Sequence, residues 1–490
     1  MSSEKPASFQ SSSSQLPATV QDAGCLDIFK GIFRSTKPQE TYSEKGPEMT
    51  STHPSSSSST LPPAYESLRQ EMSQLTFNGQ GDKLSELWER DEFIKTVHQA
   101  IDNVSAELRD VSMKLHENPE LGYKEYKAHA LLTDYLERKG FQVQRKAHTL
   151  DTAFVARAGN SNKVTIGICS EYDALPGIGH ACGHNLIAIS GVATAIALKT
   201  VIEKFNLQAE VKLFGTPAEE TSGGKIDMIN QGAFKDVDIC MLLHGANLDV
   251  IYPTYLALQS VEVEYFGKAS HASASPWEGI NALDAAIMAY TNIGLMRQQL
   301  HPSLRVHGII KDGGKAANII PDYTRLSYSV RAPKYSQIDV LKKRVERIFK
   351  GAATATGCTV KLTWAAPYKD IVTNDALTRK FEHYMNAEGL HYPSKQEQLS
   401  KLLGSTDMGN LTHEVPGIHP MFNILNLRGE EDLSAGMHTK AFAQAATQPL
   451  AHVATLRASK CLAMTGVECI LDPEFLRSVK HEFEAAKKTF

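Results

Sequence analysis

The chain has 490 residues, of which 42% are hydrophobic and 22% are charged, and its formal net charge is −4. This length exceeds that of one ordinary domain, and the composition is that of a globular enzyme with a sizeable core. The net negative charge argues against a nucleic-acid-binding protein, and so does the lack of a basic stripe with interleaved aromatic residues. No apolar run approaches the roughly 18 residues of a transmembrane helix.

The seven cysteines are odd in number and lack the spacing of a disulfide framework, which is typical of a protein kept in a reducing compartment. Residues 1–10 lack the charged-then-apolar order of a secretory signal, and they include an acid and little arginine. We therefore expect a cytoplasmic protein.

Residues 1–85 differ in composition from the rest of the chain, with serine runs at residues 11–14 and 56–59 and prolines scattered between them. Such a segment cannot bury enough apolar surface to fold, so we predict a disordered Ser/Pro-rich tail. One motif inside it, Pro62-Pro-Ala-Tyr65, has the Pro-Pro-x-Tyr form that WW domains bind in a polyproline conformation. A chance match of four residues in such a tail is the alternative.

Helices and strands alternate through the next part of the chain. Apolar residues keep helical spacing from about residue 87 to residue 116, where Asn118-Pro119 ends the pattern, and a second helix is predicted at residues 124–138. The elements predicted next are strands at 141–146, 152–157 and 164–169, a helix at 186–204, and strands at 211–215 and 239–243. Short apolar runs separated by helices are typical of buried parallel strands.

The pattern changes between residues 255 and 365. The predicted order there is strand, helix, strand, strand, helix, strand, at residues 256–266, 278–299, 304–310, 324–331, 337–350 and 359–364, which is the ferredoxin-like order. Beyond it we predict a helix at 375–388, a loop around 404–409, a strand near 420–425 and a helix from about 440 to 463. The expected organisation is an α/β catalytic domain formed by residues 86–254 and 366–490, with a lid inserted at residues 255–365.

Possible metal ligands follow the ends of three predicted strands. They are Glu171, Asp173, His180, Cys182 and His184 after the strand at 164–169, Glu219 and Glu220 after that at 211–215, and His244 after that at 239–243. In open α/β sheets, ligands bind in the crevice outside the carboxyl ends of the strands. Carboxylate, imidazole and thiolate groups that converge there indicate a divalent metal site.

The densest cluster is His180-Ala-Cys-Gly-His184, which brings a thiolate and an imidazole to one side of a glycine turn. Both ligand types suit zinc, and imidazole also suits manganese. A buried, inert cysteine beside histidines that cap a helix is the structural alternative. A catalytic pair of Cys182 with a histidine is a second functional alternative, but it leaves the two glutamates and the later histidines without a role.

Two adjacent carboxylates, Glu219 and Glu220, repel each other and need a strong cation to share one site. One of them can bind a metal while its neighbour takes a proton from water, whose pKa the metal lowers to about 7. A pair of solvated loop glutamates is the alternative. His244 can also be a structural histidine at the end of its strand, and His438 can be a helix cap.

A series of motifs lies in one order between about residues 110 and 460. The motifs are His116-Glu-Asn-Pro-Glu-Leu-Gly122, Asp173-Ala-Leu-Pro176, His180-Ala-Cys-Gly-His-Asn185, Pro217-Ala-Glu-Glu220, Gly267-Lys-Ala-Ser-His271-Ala, Asn318-Ile-Ile-Pro-Asp322, Gly404-Ser-Thr-Asp-Met-Gly409 and Met437-His438. Together they resemble metallopeptidase family twenty, the group of aminoacylase, carboxypeptidase G and carnosine-type dipeptidases, and its amidohydrolase branch in particular. The segment from Glu171 to Asn185 and the Ser-Thr-Asp-Met-Gly loop are most similar to the subgroup of Xaa-Arg (β-alanyl-lysine) dipeptidases.

The resemblance implies a zinc-peptidase-like catalytic domain with a mixed sheet, and an inserted ferredoxin-like lid that also mediates a homodimer. It implies two divalent ions as cofactors, zinc in the first place and manganese as the alternative. Cys182 would bridge the two ions. His184 and His244 would complete the site of one ion, and Glu220 and His438 that of the other.

The resemblance also assigns roles to residues that do not bind metal. Glu219 would be the general base and acid, and Asp173 would orient a metal ligand. His271 in the lid would reach the active site of a partner subunit and contact the oxyanion there. Asn318 and Arg331 would hold the carboxylate of the substrate, a task to which the planar fork of arginine is suited. The alternative for both is that they are polar residues at the surface with no role in binding.

Two positions depart from the family pattern. Asn185 stands where many amidohydrolase relatives have aspartate, so the neighbouring histidine can be oriented differently. Glu171 replaces the histidine of the aminoacylase-type His-x-Asp motif, as the amidohydrolase branch implies. Neither change removes the base or the expected ligands.

We therefore expect a metal-dependent dipeptidase that cleaves small substrates with a free carboxylate and a basic C-terminal residue. An N-acyl-amino-acid or aminobenzoyl-glutamate-type amidohydrolase is the alternative within this class. A non-catalytic binding protein on the same fold, recruited through its Pro-Pro-x-Tyr motif, is the alternative from another class. It predicts the loss of Glu219 or of a ligand, and all of these residues are present.

Overall fold

The computed structural model describes residues 81–401, 403–428 and 431–490, with side chains from residue 90 onward. The first 80 residues of the predicted tail, which include its Pro-Pro-Ala-Tyr motif, lie outside the described residues. The helices of the described chain are α1 (Gly81–Asp102), α2 (Ser105–Glu117), α3 (Tyr126–Arg138), α4 (His184–Lys204), α5 (Gly224–Asn230), α6 (Ala282–Arg297), α7 (Tyr335–Thr356), α8 (Asp375–Ala387), α9 (Lys395–Ser400), α10 (Met408–Thr412), α11 (Lys440–Ala445), α12 (Pro449–Leu471) and α13 (Pro473–Lys487).

The strands form two larger sheets and one two-stranded pair. They are β1 (Gln142–Arg145), β2 (Phe154–Gly159), β3 (Thr165–Ser170), β4 (Glu210–Gly215), β5 (Ile239–Met241), β6 (His244–Ala246), β7 (Ala257–Phe266), β8 (Arg305–Asp312), β9 (Tyr323–Ala332), β10 (Thr359–Trp364), β11 (Gly417–Ile418) and β12 (Met421–Asn423).

The six-stranded sheet, which we call the main sheet, has the strand order β1-β2-β4-β3-β5-β11. Strand β3 pairs in parallel with β4 and with β5, and β11 pairs in parallel with β5. Strand β2 is antiparallel to both of its neighbours, β1 and β4. The sheet is therefore mixed, and the three strands that precede the expected ligands run in one direction.

Helices cover both faces of the main sheet because alternate residues of each strand point to opposite sides. On one face, Ile166 and Ile168 of β3 belong to a large apolar core with α1, α4 and α12. On the other face, Cys169 packs in a smaller core with Met228 of α5 and Leu411 of α10. The carboxyl ends of β3, β4 and β5 thus lie at one edge of a three-layer α/β structure.

Helix α4 lies in the middle of the larger core. It is the one helix of the described chain with the length and apolar composition of a membrane span, and 89% of its most apolar window is buried inside the protein. Such burial is typical of a core helix, and the first turn of α4 carries one of the expected ligands, His184.

The four-stranded sheet, which we call the inserted sheet, has the order β10-β7-β9-β8 and is antiparallel throughout. Its strands and helices follow one another as β7-α6-β8-β9-α7-β10, which is the predicted ferredoxin-like order. Helices α6 and α7 share one core with alternate residues of β7, such as Val261 and Val263. The predicted fold class, a mixed-sheet domain with an inserted βαββαβ unit, is confirmed, while the proposed domain boundaries stay a prediction.

Two predicted helices are each divided in the structure. The pattern at residues 87–116 is interrupted at Asn103 and Val104, which form a turn between α1 and α2. The helix predicted at 440–463 is divided before Pro449, which has no N–H to donate and so begins α12. Helical spacing of apolar residues continues across both breaks, so periodicity alone did not locate them.

Four helices are absent from the prediction, namely α5, α9, α10 and α13. Helix α10 occupies part of the loop expected around residues 404–409. Helices α5, α9 and α10 each have seven residues or fewer. Helices of this length make fewer than two turns, which is too short for the apolar spacing to repeat. Helix α13 does have a sequence signal, because Asp472 before Pro473 caps it through the backbone N–H groups of Glu474 and Phe475.

Candidate active site

The residues expected to bind metal meet at the carboxyl edge of the main sheet. The chain leaves β3 at Ser170 and reaches Glu171 and Asp173, and it leaves β4 at Gly215 and reaches the two adjacent glutamates. His244 begins β6, three residues after β5 ends at Met241. The parallel direction of the three strands therefore explains why side chains distant in sequence converge.

The turn before α4 positions two of these residues. Gly183 has φ +78°, a left-handed conformation that favours glycine, and a Cβ there would lie 3.3 Å from the Phe442 ring. This turn places Cys182 and His184 on either side of the glycine. The backbone N–H of His438 donates to the carbonyl oxygen of Ala181, at 2.8 Å, and so ties a loop from the far end of the chain to the same turn.

Two groups of ligand atoms share the Cys182 thiol. One group consists of Cys182, His184 and His244, and the other of Cys182, Glu220 and His438. Within each group the ligand atoms lie within 4.8 Å of one another. The Sγ of Cys182 is 3.5 Å from Nε2 of His244, and Nε2 of His438 is 3.4 Å from a carboxylate oxygen of Glu220. These are the two sets that the family resemblance implies.

Asp173 orients two of the groups at once. One of its carboxylate oxygens is 3.0 Å from Nδ1 of His184, and the other accepts the backbone N–H of Glu220 at 3.0 Å. The Nε2 atom of His184 therefore points toward the cluster, where it is buried and has no hydrogen-bond partner among the described residues. His244 is fixed similarly, since its Nδ1 lies 2.7 Å from the carbonyl oxygen of Gly245.

The donor set of this cluster fits divalent metal ions. A buried imidazole nitrogen with no hydrogen bond is costly unless it meets a ligand. Thiol, imidazole and carboxylate are the ligands that zinc prefers, and the imidazoles of His184 and His244 are held through their other nitrogen, as metal-bound histidines usually are. In the described chain, His180 belongs to no such group although it lies in the same motif.

Charges within the cluster also call for a cation. Burial, and then the neighbouring carboxylates Glu171 and Glu220, raise the pKa of Glu219 well above its usual value. Burial raises the pKa of the Cys182 thiol, and Glu220 raises it further. Burial also disfavours ionised Glu220, but the hydrogen bond and charge of His438, together with His184, leave its pKa below the usual value. Without positive charge, these groups repel one another in a buried place.

A third group of carboxylates already has a cation from the protein itself. Glu171, Glu219 and Asp407 offer oxygens within 4.8 Å of one another, and the fully buried Lys225 lies among them. Its Nζ is 2.5 Å from Glu171 and 2.6 Å from Asp407, and its backbone N–H donates to the same aspartate at 3.0 Å. Burial alone would lower the pKa of Lys225, but its two carboxylate partners raise it well above the usual value. This ammonium neutralises the carboxylates beneath the two metal-ligand groups.

A cavity of about 670 Å³ opens onto the cluster. Its walls include Cys182, Glu219 and His438 from the main-sheet side and Arg331 from β9 of the inserted sheet. Tyr368, which also lines it, donates its hydroxyl to the backbone carbonyl of Glu219 at 2.8 Å. The proposed general base thus has a fixed backbone at the wall of a space that can hold a small substrate.

Arg331 faces this cavity and is held by two polar contacts. Its Nη1 donates to the hydroxyl of Ser405 at 2.9 Å, and its Nε donates to Nε2 of His307 at 3.2 Å. Ser405 in turn donates to the carbonyl oxygen of Leu256 at 2.7 Å. The guanidinium is therefore half-buried and positioned, rather than free at the surface.

His271 and Asn318 lie elsewhere. Both are exposed in the inserted segment, and neither is among the residues that line the cavity. They are neighbours, because the backbone N–H of Ala272 donates to the carbonyl oxygen of Asn318 at 3.0 Å. Within one chain, the structure therefore brings together Glu219, Asp173, Arg331 and the five expected ligands, but not these two residues.

Several residues of the site had no role in the sequence-based prediction. Lys225 follows a Gly-Gly pair and Asp407 lies in the Ser-Thr-Asp-Met-Gly motif, but only their contact in space shows that they form an ion pair. Tyr123, Asp227 and Tyr368 line the cavity and come from three separate parts of the chain. The sequence carried no signal for Lys225, because its helix α5 was itself absent from the prediction.

Comparison with known sequences identifies the family. The sequence profile described as peptidase family M20/M25/M40 matches residues 167–456 of the chain. The chain belongs to this family. The match spans both the metal-ligand groups and the inserted sheet, so the predicted resemblance is confirmed.

Relatives of known activity support the same conclusion. The Xaa-Arg dipeptidase of Mus musculus is 42% identical over 399 residues, which are 79% of this chain and 91% of the mouse protein. A p-aminobenzoyl-glutamate hydrolase protein of Escherichia coli is 28% identical over 351 residues, 66% of this chain and 72% of the bacterial protein. As a member of this peptidase family with such relatives, the chain is a hydrolytic enzyme.

A solved structure agrees with the fold. The YXEP protein of Bacillus subtilis, described as a dinuclear metal-binding peptidase of the M20 family, superimposes with a TM-score of 0.53 at 20% sequence identity. The match covers 74% of this chain and 98% of the bacterial one. At this identity the likeness bears on the fold alone, so the roles of individual site residues stay predictions.

Proposed function

We propose that this protein is a dipeptidase that hydrolyses dipeptides with a basic C-terminal residue and uses two divalent ions, of which zinc is the first choice and manganese the alternative. The observation that carries the proposal is the pair of ligand groups joined by Cys182, with Glu219 beside them at the wall of one cavity. The 42% identity to an Xaa-Arg dipeptidase supports the choice of substrate.

In this proposal Cys182, His184 and His244 would hold one ion, and the same cysteine with Glu220 and His438 would hold the other. Bound divalent ions polarise an amide carbonyl and make water a better nucleophile at neutral pH. Asp173 holds His184 with Nε2 directed into the cluster, as its 3.0 Å contact with Nδ1 indicates. Lys225 keeps Glu171 and Asp407 charge-compensated below the ligands.

Glu219 carries out the proton transfers. Its carboxylate takes a proton from the attacking water and gives it to the amide nitrogen, which then leaves as an amine. Its backbone carbonyl is anchored by the Tyr368 hydroxyl, so the side chain acts from a fixed position. Its neighbour Glu220 is directed instead toward His438, which explains how adjacent glutamates serve different tasks.

The substrate carboxylate is bound from the side of the inserted sheet. Arg331 offers a planar fork of donors to the cavity and is held by Ser405 and His307. Asn318 and His271 act across a dimer, where they complete the active site of the partner subunit with a donor for the carboxylate and one for the oxyanion. This assignment explains why both residues are exposed within a single chain.

A homodimer formed through the inserted segment has support on its surface. Strand β8 is an edge of the inserted sheet, and its Ile309 side chain is 60% exposed. Helix α6 next to it exposes Ile287, Tyr290 and Leu295, the last of them by 68%. A free strand edge beside apolar side chains is a surface that a second copy can cover. We expect Leu295→Glu to increase the monomer fraction in light scattering.

The location and the role of the tail are also proposals. The six cysteines of the described residues are all free, even where the sulfurs of Cys169 and Cys240 are 3.6 Å apart, which supports a reducing compartment such as the cytoplasm. Pro62-Pro-Ala-Tyr65 would recruit a WW-domain protein. Deletion of residues 1–80 should then abolish capture of such a partner and leave turnover unchanged; retained capture would contradict this role.

The alternative substrates are N-acyl amino acids or aminobenzoyl-glutamate. This alternative is favoured by the 28% identity to the p-aminobenzoyl-glutamate hydrolase protein of Escherichia coli. These substrates share the amide bond and the free carboxylate with basic dipeptides but lack the cationic groups. The same catalytic residues would serve them, so only a comparison of substrates separates the two proposals.

The test uses the purified full chain, with its metal removed by chelation and then restored. The amine released from β-alanyl-lysine, Xaa-Arg dipeptides, N-acetyl amino acids and aminobenzoyl-glutamate is measured. Metal-dependent release from the basic dipeptides would support the proposal, and a preference for acylated or glutamate substrates would favour the alternative. No release from any substrate by protein that binds metal would contradict both and favour a non-catalytic binding protein.

A further inference from the structure

One acidic residue of the cavity has no task in the proposed chemistry. Asp227 lies in α5, three residues after this helix begins at Gly224, and lines the cavity together with Glu219 and Glu220. The two glutamates belong to groups of metal-ligand atoms, but Asp227 belongs to none in the described chain. The residue is half-buried, and its place in the cavity wall gives it access to the space that receives the substrate.

Asp227 is held in place by a tyrosine of the same cavity. The hydroxyl of Tyr123 donates to its Oδ2 at 2.5 Å, and Tyr123 itself has a left-handed backbone with φ +59°. A bulky residue in this conformation is strained by about 1 kcal/mol or more, and such strain clusters at functional sites. Burial and the neighbouring Asp227 raise the pKa of Tyr123, so its hydroxyl stays protonated and keeps donating.

Within the described part of the chain, no positive group forms an ion pair with Asp227. Among the residues that the structure describes, no lysine, arginine or histidine nitrogen lies within 4.0 Å of its carboxylate. Buried carboxylates elsewhere in the site are paired, as Glu171 and Asp407 are with Lys225. A carboxylate that is oriented and half-buried, but unpaired, is a place where a cation from the substrate gains a charge-assisted hydrogen bond.

The two walls of the cavity therefore carry opposite charges in addition to the metal-ligand groups. Arg331 lines it from the inserted sheet, and Asp227 lines it from the main-sheet side. A neutral N-acyl amino acid offers a partner for the arginine but none for the aspartate. A dipeptide with a basic side chain and a free amine offers cations as well as a carboxylate.

We propose that Asp227 is a specificity-determining residue that binds a cationic nitrogen of the dipeptide. This inference rests on the proposed function, because it explains how a site of this family would favour basic dipeptides over acylated amino acids. Two nitrogens have the required chemistry, the terminal amine and the side-chain group of the C-terminal residue. Tyr123 is the positioning residue that keeps the carboxylate directed into the cavity.

The test compares four amides that differ only in these two nitrogens. They are β-alanyl-lysine, β-alanyl-norleucine, propionyl-lysine and propionyl-norleucine, so either cation or both are removed without a change in the reacting bond. Asp227→Asn keeps the size of the side chain and an oxygen that accepts from Tyr123, but it removes the charge. We expect kcat/KM to fall about 10- to 100-fold for substrates with the recognised nitrogen and little for propionyl-norleucine.

The pattern identifies the source of the cation. A loss shared by both lysine substrates assigns the side-chain nitrogen, and a loss shared by both β-alanyl substrates assigns the amine. Asp339→Asn, which removes an exposed carboxylate on α7 outside the cavity, is the matched control and should leave all four values unchanged. An equal loss for all four substrates would overturn the proposal. The proposed function would still stand in that case, provided that the wild type hydrolyses these substrates.

A second variant protects the test against poor folding. Asp227→Lys should reverse the preference for β-alanyl-lysine over propionyl-norleucine, which carries neither cation, measured as the ratio of their kcat/KM values. This ratio is independent of the fraction of active enzyme, because both substrates meet the same preparation. An unchanged ratio would overturn the proposal. If the wild type hydrolysed none of these dipeptides, the proposed function would fail and this inference with it.

Discussion

The two walls of the cavity are built in different ways. On the main-sheet side, His184, Glu171 and Lys225 are fully buried and fixed by contacts with one another or with Asp173. On the inserted-sheet side, Arg331 is half-buried, and its two partners are a serine and an exposed histidine. The difference indicates that the groups which perform the chemistry are enclosed and preorganised, while the arginine that holds the substrate carboxylate is less tightly enclosed.

The physical reason lies in the charges. Several carboxylates, a thiol and imidazoles occupy a small buried space on the main-sheet side, where each must be oriented and neutralised. On the inserted-sheet side a single guanidinium keeps access to solvent and needs no buried counter-ion. Changes to these buried groups should therefore affect catalysis, metal binding and stability most, and changes to Arg331 should affect KM.

The largest expected effect is that of Glu219→Gln. The amide cannot accept a proton from water, so kcat should fall by about 10³-fold or more, while the metal content, measured by mass spectrometry, should equal that of the wild type. Glu203→Gln, at a surface ion pair with Lys199 on α4, is the control and should keep full activity. Near-normal turnover of Glu219→Gln would show that another residue is the base.

Lys225→Met tests the buried half of the comparison through stability. Two buried carboxylates lose their cation, which should lower the free energy of unfolding by about 3–5 kcal/mol. The matched control is Lys311→Met in the inserted sheet, where the exposed pair with Glu262 at 2.9 Å should contribute at most about 1 kcal/mol. Thermal unfolding of both variants is the measurement. Equal losses would mean that Glu171 and Asp407 are compensated without the lysine.

Cys182→Ala tests whether one thiol serves both ligand groups. Both ions should bind more weakly, by more than the roughly 10- to 100-fold that loss of an outer-shell partner such as Asp173 costs. Competition with a chelator measures the affinity, and Asp173→Asn gives the outer-shell reference. Cys461→Ala, another buried free cysteine, should leave metal binding unchanged. Unchanged metal content of Cys182→Ala would make this cysteine a structural one.

The sequence was informative about the main-sheet wall because the ligands there follow strand ends. Glu219 and His244 stand after short apolar runs, and the direction of parallel strands makes them converge. Lys225 and Asp407 could not be paired in this way, since 182 residues separate them and neither follows a main-sheet strand directly. Their partnership depends on the position of a short helix, which periodicity does not define.

The inserted-sheet wall was harder to predict from one sequence. Strand alternation placed the strand around Arg331 correctly, but not the direction of its side chain relative to a cavity formed with distant segments. For His271 and Asn318 only the family resemblance indicated a role, and a single chain leaves both outside the cavity. Asp227 and Tyr123 gave no motif at all, because their function would depend on a contact between residues 104 positions apart.

Arg331→Lys gives the smallest expected effect and completes the comparison. Lysine keeps the charge but loses the planar fork, so KM should rise about 10-fold while kcat changes little. The matched control is Arg325→Lys. Arg325 lies on the same strand but is exposed, and its contact with Glu262 is long, at 3.9 Å. With a substrate whose carboxylate is replaced by a carboxamide, wild type and Arg331→Lys should become nearly equal, since the fork has lost its partner in both. A fall in kcat with unchanged KM would instead place Arg331 among the preorganised groups and remove the distinction between the two walls.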